Sequence, residues 1–243
     1  MDPSPGRHRR RRGGGTDPAA DPVIALAGNP NAGKTSLFNA MTGAVQQVSN
    51  YPGVTVECKE GSARRNGRRY SVVDLPGTYS LTAFSQEETV ARDFILGHGP
   101  VLVVNVVDAS NLERNLYLSV QLMEMRVPVI VALNMSDVAE KRGIRINAET
   151  LSKMLGVPVV KTVGSRGRGV EELLDTCAAV MDGAVEAVPT SIRYGHLVDE
   201  EVDTLARMLE EVLPGDTSQA AQWFAVKLLE KDDVVARQVR EFA

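Results

Sequence analysis

Apolar and polar positions along the chain fall into an alternating series of short buried runs and longer stretches with helical spacing. Residues 23–27, Val-Ile-Ala-Leu-Ala, form a continuous apolar run, the pattern of a strand covered on both faces. Residues 36–41 follow with helical spacing. Residues 43–55 are rich in Asn, Gly and Pro and predict a long loop. Residues 54–60 alternate like a strand, Asn66-Gly67 predicts a tight hairpin turn, and residues 69–73 return as a second strand. That hairpin predicts a single antiparallel pair. A helix is expected over 87–96, closed by Gly97. Residues 101–107 read as a buried strand ending at Asp108, 112–125 as a helix, and 129–133 as a strand. A short helix from Val138, a helix over 148–155, a strand over 157–161 and a helix over 170–181 complete the series. Such alternation predicts an α/β fold: a mostly parallel sheet with one antiparallel strand and helices on both faces. Beyond residue 183 the pattern changes. Residues 184–192 read as a linker, and 197–213 (with Val198, Val202, Leu205 and Leu209), 219–229 and 234–242 have helical spacing. The expected division is a disordered basic tail over 1–21, an α/β domain over 22–183, and a small all-α domain over 184–243.

Charge narrows the picture. The 243 residues carry a formal net charge of −4. The acid excess grows once the five arginines and three aspartates of residues 1–21 are set aside. A broad nucleic-acid footprint is therefore not expected. The run Arg7-His8-Arg9-Arg10-Arg11-Arg12 reads as a solvated tail; contact with anionic lipid or nucleic acid is the alternative. The two cysteines, Cys58 and Cys177, have neither metal-ligand spacing nor a disulfide framework, which favours the cytosol. No apolar run approaches the roughly 18 residues of a membrane span, and no signal-peptide core follows the early arginines. The last helical pattern still runs at residue 242, which reads as a cut from something longer or as a true terminus.

The chemistry centres on Gly28-Asn29-Pro30-Asn31-Ala32-Gly33-Lys34-Thr35, which fits the phosphate-cradling pattern G-x-x-x-x-G-K-[ST] between a strand and a helix. Its backbone N–H groups and the helix N-terminus favour an anion there. Lys34 would reach the β- and γ-phosphates, and the hydroxyl of Thr35 would ligate magnesium, with Ser36 next in the cradle. The bland alternative is a glycine-rich turn that binds nothing. Thr55, after Gly53 and Val54 in the long loop, is placed to close over magnesium and the γ-phosphate. Asp74 at a strand end would hold the magnesium shell, and Gly77 would offer a backbone N–H to the γ-phosphate. Asn134-Met135-Ser136-Asp137 fits Asn-x-x-Asp, in which the aspartate accepts two N–H bonds from a guanine edge. The loop Thr162-Val163-Gly164-Ser165 would bring backbone N–H groups to the base oxygen. Glu57-Cys58-Lys59-Glu60 offers soft and hard metal ligands, but alternate strand residues face opposite sides, which argues against one site.

Five such elements in this order resemble the TRAFAC-class small GTPases. Within that class, the P-loop octet, Asn50-Tyr51-Pro52-Gly53-Val54-Thr55-Val56-Glu57, Asp74-Leu75-Pro76-Gly77-Thr78-Tyr79-Ser80-Leu81, Asn134-Met135-Ser136-Asp137 and Trp223-Phe224-Ala225-Val226-Lys227-Leu228-Leu229-Glu230 resemble the FeoB family of ferrous-iron transport proteins. The resemblance covers about residues 22–243. It implies a GTP- and GDP-binding, GTP-hydrolysing regulatory domain followed by a helical domain that stabilises the GDP state. It also implies a membrane permease elsewhere in the full-length protein, and a place on the cytoplasmic side of the bacterial inner membrane. Homo-oligomerisation stays open.

Three departures from the usual pattern matter. Ser136 stands where most GTPases carry a base-stacking lysine, so discrimination against adenine should be weaker. Val163-Gly164 replaces the usual Ser-Ala. Thr78 stands where many carry a water-orienting glutamine, so hydrolysis should be slow. The resemblance implies that Asn31 helps hold a potassium ion beside the phosphates; the alternative for Asn31 is a turn residue alone. A ribosome-assembly or RNA-modifying GTPase and a pure nucleotide-binding module remain as other readings.

Overall fold

The computed structural model describes residues 21–43, 46–50, 56–82, 85–97, 102–187, 189, 192–215 and 217–242. The arginine-rich stretch and Gly53, Val54 and Thr55 lie outside the described residues.

Seven strands form one sheet: β1 Val23–Gly28, β2 Gln46–Asn50, β3 Glu57–Arg65, β4 Arg68–Asp74, β5 Leu102–Asp108, β6 Val129–Asn134 and β7 Val159–Lys161. Their order is β2-β3-β4-β1-β5-β6-β7. β1 is parallel to β4 and β5, and β5, β6 and β7 continue in parallel. β3 alone runs against the rest, as the hairpin requires. Asn66 and Gly67 make its turn with φ of 50° and 76°, the left-handed pair that matches the twist of the strands it joins. One expectation fails. The stretch read as a long loop contains β2, so β3 has an antiparallel partner on each side, not one. The sequence of β2, Gln-Gln-Val-Ser-Asn, lacks alternation, and the strand is set by its pairing with β3.

Side-chain alternation divides the core into two layers. Ile24, Leu26, Val72, Val104, Val106 and Ile130 face α1 (Lys34–Thr42) and α6 (Val170–Met181), meeting Leu37, Phe38, Leu173 and Cys177. Ala25, Val73, Val103, Val107, Val131 and Leu133 face α2 (Gln86–Gly97) and α3 (Leu112–Glu124). Central strands buried on both faces explain the unbroken apolar runs in the sequence. α4 (Ser136–Lys141) and α5 (Ala148–Leu155) lie between β6 and β7 in the chain. Asn147 caps α5 by accepting the Thr150 N–H at 3.0 Å, and Gly156 ends it at φ 70°.

The C-terminal region is helical: α7 His196–Glu210, α8 Ala221–Leu229 and α9 Asp233–Phe242. α8 packs against α7, α9 and α3. Trp223 and Phe224 are fully buried with their rings edge-on, 5.1 Å between centroids, in the same core layer as Leu118 and Leu122 of α3. Among the described residues no helix is long and apolar enough to cross a membrane.

Candidate functional site

β1 lies between β4 and β5, and the chain leaves it toward one side of the sheet and then the other. The carboxyl ends of β1, β4, β5 and β6 therefore converge beside the N-terminus of α1, the crevice where open α/β sheets bind ligands. A cavity of about 460 Å³ opens there, lined by Asn29, Pro30, Asn31, Gly33, Lys34, Thr35, Ser36 and Gly77. No side chain caps the start of α1, so its first N–H groups face the cavity as donors for an anion.

The charged centre is compact. The ammonium of Lys34 donates to Asp74 Oδ1 at 2.6 Å, and the Thr35 hydroxyl donates to Asp74 Oδ2 at 3.2 Å. Lys34 and Asp74 are 9% and 6% exposed, so both charges are largely removed from water and compensated by each other. A hydroxyl and a carboxylate oxygen at this spacing form a hard-oxygen pair of the kind magnesium accepts. Gly77 backs onto Pro30, closing the cavity from the β4 side. Thr78 is buried; its N–H donates to the Gly28 carbonyl at 3.2 Å, and its hydroxyl is engaged with the Ser80 backbone. Asn31 is exposed at φ 66°, with its side chain at the cavity rim. Asn29 is buried and donates to the Arg114 carbonyl at 3.4 Å.

Three loops are bolted together by Asn134. Its Nδ2 donates to the Ala32 carbonyl at 2.8 Å, and its Oδ1 accepts from Gly164 N at 2.9 Å and from the Thr162 hydroxyl at 3.3 Å. Two glycines make room for this bolt. A Cβ on Gly33, itself at φ 80°, would stand 2.4 Å from Asn134 Nδ2, and one on Gly164 would stand 2.8 Å from Leu37 N. Met135 takes a left-handed φ of 56° and so turns the chain from β6 into α4. The Ser136 hydroxyl donates to the Thr162 carbonyl at 3.1 Å. Ser136 thus ties the start of α4 to the loop after β7. Asp137, in the first turn of α4, lies 3.7 Å from Arg166 Nη1. Arg166 is 66% exposed in its side chain; such a pair contributes only about 0–1 kcal/mol and leaves the carboxylate free to exchange partners.

The sequence-predicted residues Gly28, Asn29, Asn31, Ala32, Gly33, Lys34, Thr35, Ser36, Asp74 and Gly77 are thus brought together around the N-terminus of α1, and Asn134, Met135, Asp137, Val163, Gly164 and Ser165 around the Asn134 bridge. Two of the expected backbone donors are already used: Val163 N donates to the Arg168 carbonyl and Gly164 N to Asn134. Ser165 is the exposed member of that loop. Cys58 is buried in the core layer under α2 and α3, where burial and the nearby Asp74 carboxylate push its thiol up. Among the described residues no three His, Cys, Asp or Glu side chains gather as a metal cluster.

Sequence reasoning missed two residues around this site, Arg114 and Gln121. Arg114 stacks over Tyr79, its guanidinium carbon 4.3 Å from the ring centroid. Gln121 Oε1 accepts the Leu81 N–H at 2.7 Å. The available signal was Gln121 itself, a polar residue among apolar positions of a helix, which must find a partner when buried.

Comparison with known proteins agrees with this geometry. Residues 22–177 match the family model described as ferrous iron transport protein B. The Fe(2+) transport protein A/Fe(2+) transporter FeoB fusion protein of Porphyromonas gingivalis is 47% identical over 220 residues, covering 90% of this chain and 26% of that protein. The Fe(2+) transporter FeoB of Escherichia coli strain K12 is 46% identical over 214 residues, covering 86% of this chain and 27% of that protein. This chain thus spans about a quarter of the length of these curated relatives. Among solved structures, the cytosolic domain of the T. maritima FeoB iron transporter superposes in its GDP form II with a TM-score of 0.84 at 38% identity, covering 92% of this chain and 87% of that one. Its GMPPNP form gives 0.83 at 38% identity, with 91% and 86% covered. A family model matching well over half of the chain, joined to relatives at this identity, places the protein in the FeoB family.

Proposed function

We propose that this chain binds GTP and hydrolyses it to GDP and phosphate, as the regulatory cytosolic part of a bacterial ferrous-iron transporter. The observation that carries this reading is the Lys34–Thr35–Asp74 cluster beside the cavity at the α1 N-terminus. The relatives' description as Fe(2+) transporters, and the GDP and GMPPNP forms of the T. maritima domain, support it. In this reading residues 22–183 form the nucleotide-binding domain and 184–243 a helical domain that stabilises the GDP state. A membrane permease lies in the rest of the full-length protein, and the assembly sits at the cytoplasmic face of the inner membrane. A homo-oligomer is compatible with it. The ribosome-assembly and RNA-modification alternative gains no support from the site or the relatives.

The residues take the following roles. The N–H groups at the start of α1 bind the phosphates, and Lys34 turns from Asp74 to the β- and γ-phosphate oxygens. Thr35 and Asp74 would hold magnesium, joined by Thr55; the ion would neutralise charge on the phosphates. Gly77 offers its N–H to the γ-phosphate. Asp137 exchanges Arg166 for the two N–H donors of guanine, and Asn134 braces the pocket it sits in. Thr78 is committed to its local turn and cannot orient water, so turnover is slow. The Asn31 side-chain oxygen would help hold potassium, which would supply positive charge beside the phosphates.

The test is phosphate release from GTP, with magnesium, in potassium chloride and in sodium chloride at equal ionic strength. Potassium should raise the rate several-fold, and Asn31→Ala should remove that rise while leaving GDP affinity nearly intact. Equal rates in the two salts would leave Asn31 as a turn residue only.

A further inference from the structure

Helix α3 buries four polar side chains, and two of them point away from the sheet's own bracing. Asn115 and Ser119 serve β5: Asn115 accepts from Asp108 N at 3.2 Å, and Ser119 pairs with Asn105. Gln121 and Glu124 do something else. Gln121, 2% exposed, accepts the Leu81 N–H at 2.7 Å, in the loop that begins at Asp74 and carries Gly77 and Thr78. That loop is gripped a second time by α3, through Arg114 on Tyr79. Glu124, 4% exposed, ends α3, the helix against which α8 packs. Lys227 is itself 1% exposed and donates to Glu230 at 2.7 Å. Positions 121 and 124 are one helical turn apart and so neighbour each other on the surface of α3.

Buried polar groups are held to their partners because leaving one unpaired away from water is costly. Any movement of the 75–82 loop must therefore break the Gln121 bond or drag α3. α8, in which Lys227 is buried, packs on the same helix and cannot shift without moving against it. Both constraints act on one rigid element whose other positions, Leu118, Leu122 and Met123, are locked in the core.

We propose that Gln121 is a positioning residue that sets the phosphate-side loop for hydrolysis, and that α3 couples this loop to the helical region through Gln121 and Glu124. The inference rests on the GTPase reading above. Trp223, the protein's single tryptophan and buried in α8, reports on the far end.

The experiment uses the whole chain and four variants: Gln121→Leu, Gln121→Glu, Glu124→Gln and the double variant Gln121→Leu/Glu124→Gln. Single-turnover GTP hydrolysis, GDP affinity and Trp223 emission with GDP or a non-hydrolysable GTP analogue are measured. Gln121→Leu should slow hydrolysis about ten- to hundredfold, the scale of a misplaced reacting group, with GDP affinity within about twofold. It should also remove the difference in Trp223 emission between the two nucleotides. Gln121→Glu retains an acceptor for Leu81 N–H and should restore both. Glu124→Gln should change hydrolysis by itself and add nothing in the Gln121→Leu background, because coupled sites are not additive. Wild-type hydrolysis and an intact emission difference in Gln121→Leu would overturn the proposal, as would additive effects in the double variant. If Gln121→Leu fails to fold, unchanged hydrolysis and emission in Glu124→Gln are enough to overturn it. A wild-type chain that neither hydrolyses GTP nor changes its emission would sink the GTPase reading first and this inference with it.

Discussion

Replacing Glu124 by Gln should flatten the pH dependence of stability between pH 5 and pH 8. Burial lifts the Glu124 carboxyl from an ordinary 4.5 to about 7, with Lys227 pulling it down and Glu230 pushing it up by lesser amounts. The folded state therefore holds a proton that the unfolded chain has already released at neutral pH. The sign follows directly: the contribution is fully present below about pH 4.5 and is lost as pH rises through about 7. At about 1.4 kcal/mol for each pH unit between those values, the whole span is worth about 3.5 kcal/mol, and the part between pH 5 and pH 8 about 2–3 kcal/mol. The assay is urea unfolding followed by Trp223 emission at pH 5, 6, 7 and 8, for wild type and Glu124→Gln. Other carboxylates titrate equally in both proteins, so the difference between the two curves isolates Glu124. The variant should match wild type near pH 5, within the cost of the substitution itself, and exceed it by about 2–3 kcal/mol at pH 8. A constant difference across the four pH values would refute the burial argument.

Thr35→Ala and Asp74→Ala should each nearly abolish hydrolysis, since each removes part of the magnesium-binding oxygen set; wild-type turnover in either would remove these residues from the site. GTP should bind better than ATP, and Asp137→Ala should erase most of that preference at a cost of about 2–4 kcal/mol in GTP binding, read by competition against a fluorescent nucleotide. Arg166→Ala frees Asp137 of its exposed partner and should change the midpoint of thermal unfolding little, because such a pair contributes only about 0–1 kcal/mol.

The sheet's parallel core was legible because strands covered on both faces leave unbroken apolar runs, as at 102–107 and 129–133. β2 was not, because an edge strand with a polar sequence owes its order to a partner strand seven to fifteen residues away along the chain. The stretch that lines the cavity was legible because its residues sit together along the chain. Residues 134–137 were legible as a motif but not in their contacts. The amide atoms of Asn134 bridge Ala32, Thr162 and Gly164, partners that no local spacing reveals. The same holds for Gln121: its bond to Leu81 spans forty residues and exists only once α3 and the loop are packed together. Ser136 illustrates the reverse case, a departure noticed in the sequence whose purpose, tying α4's start to Thr162, appears only in three dimensions.

Single-turnover phosphate release from GTP and from ATP, with magnesium and potassium, tests the central claim most directly when wild type is set beside Asp74→Ala. Release from GTP should be slow, release from ATP slower at matched subsaturating concentration, and release from GTP by Asp74→Ala almost absent. Release from GTP no faster than in buffer, or the same in wild type and Asp74→Ala, would contradict that claim.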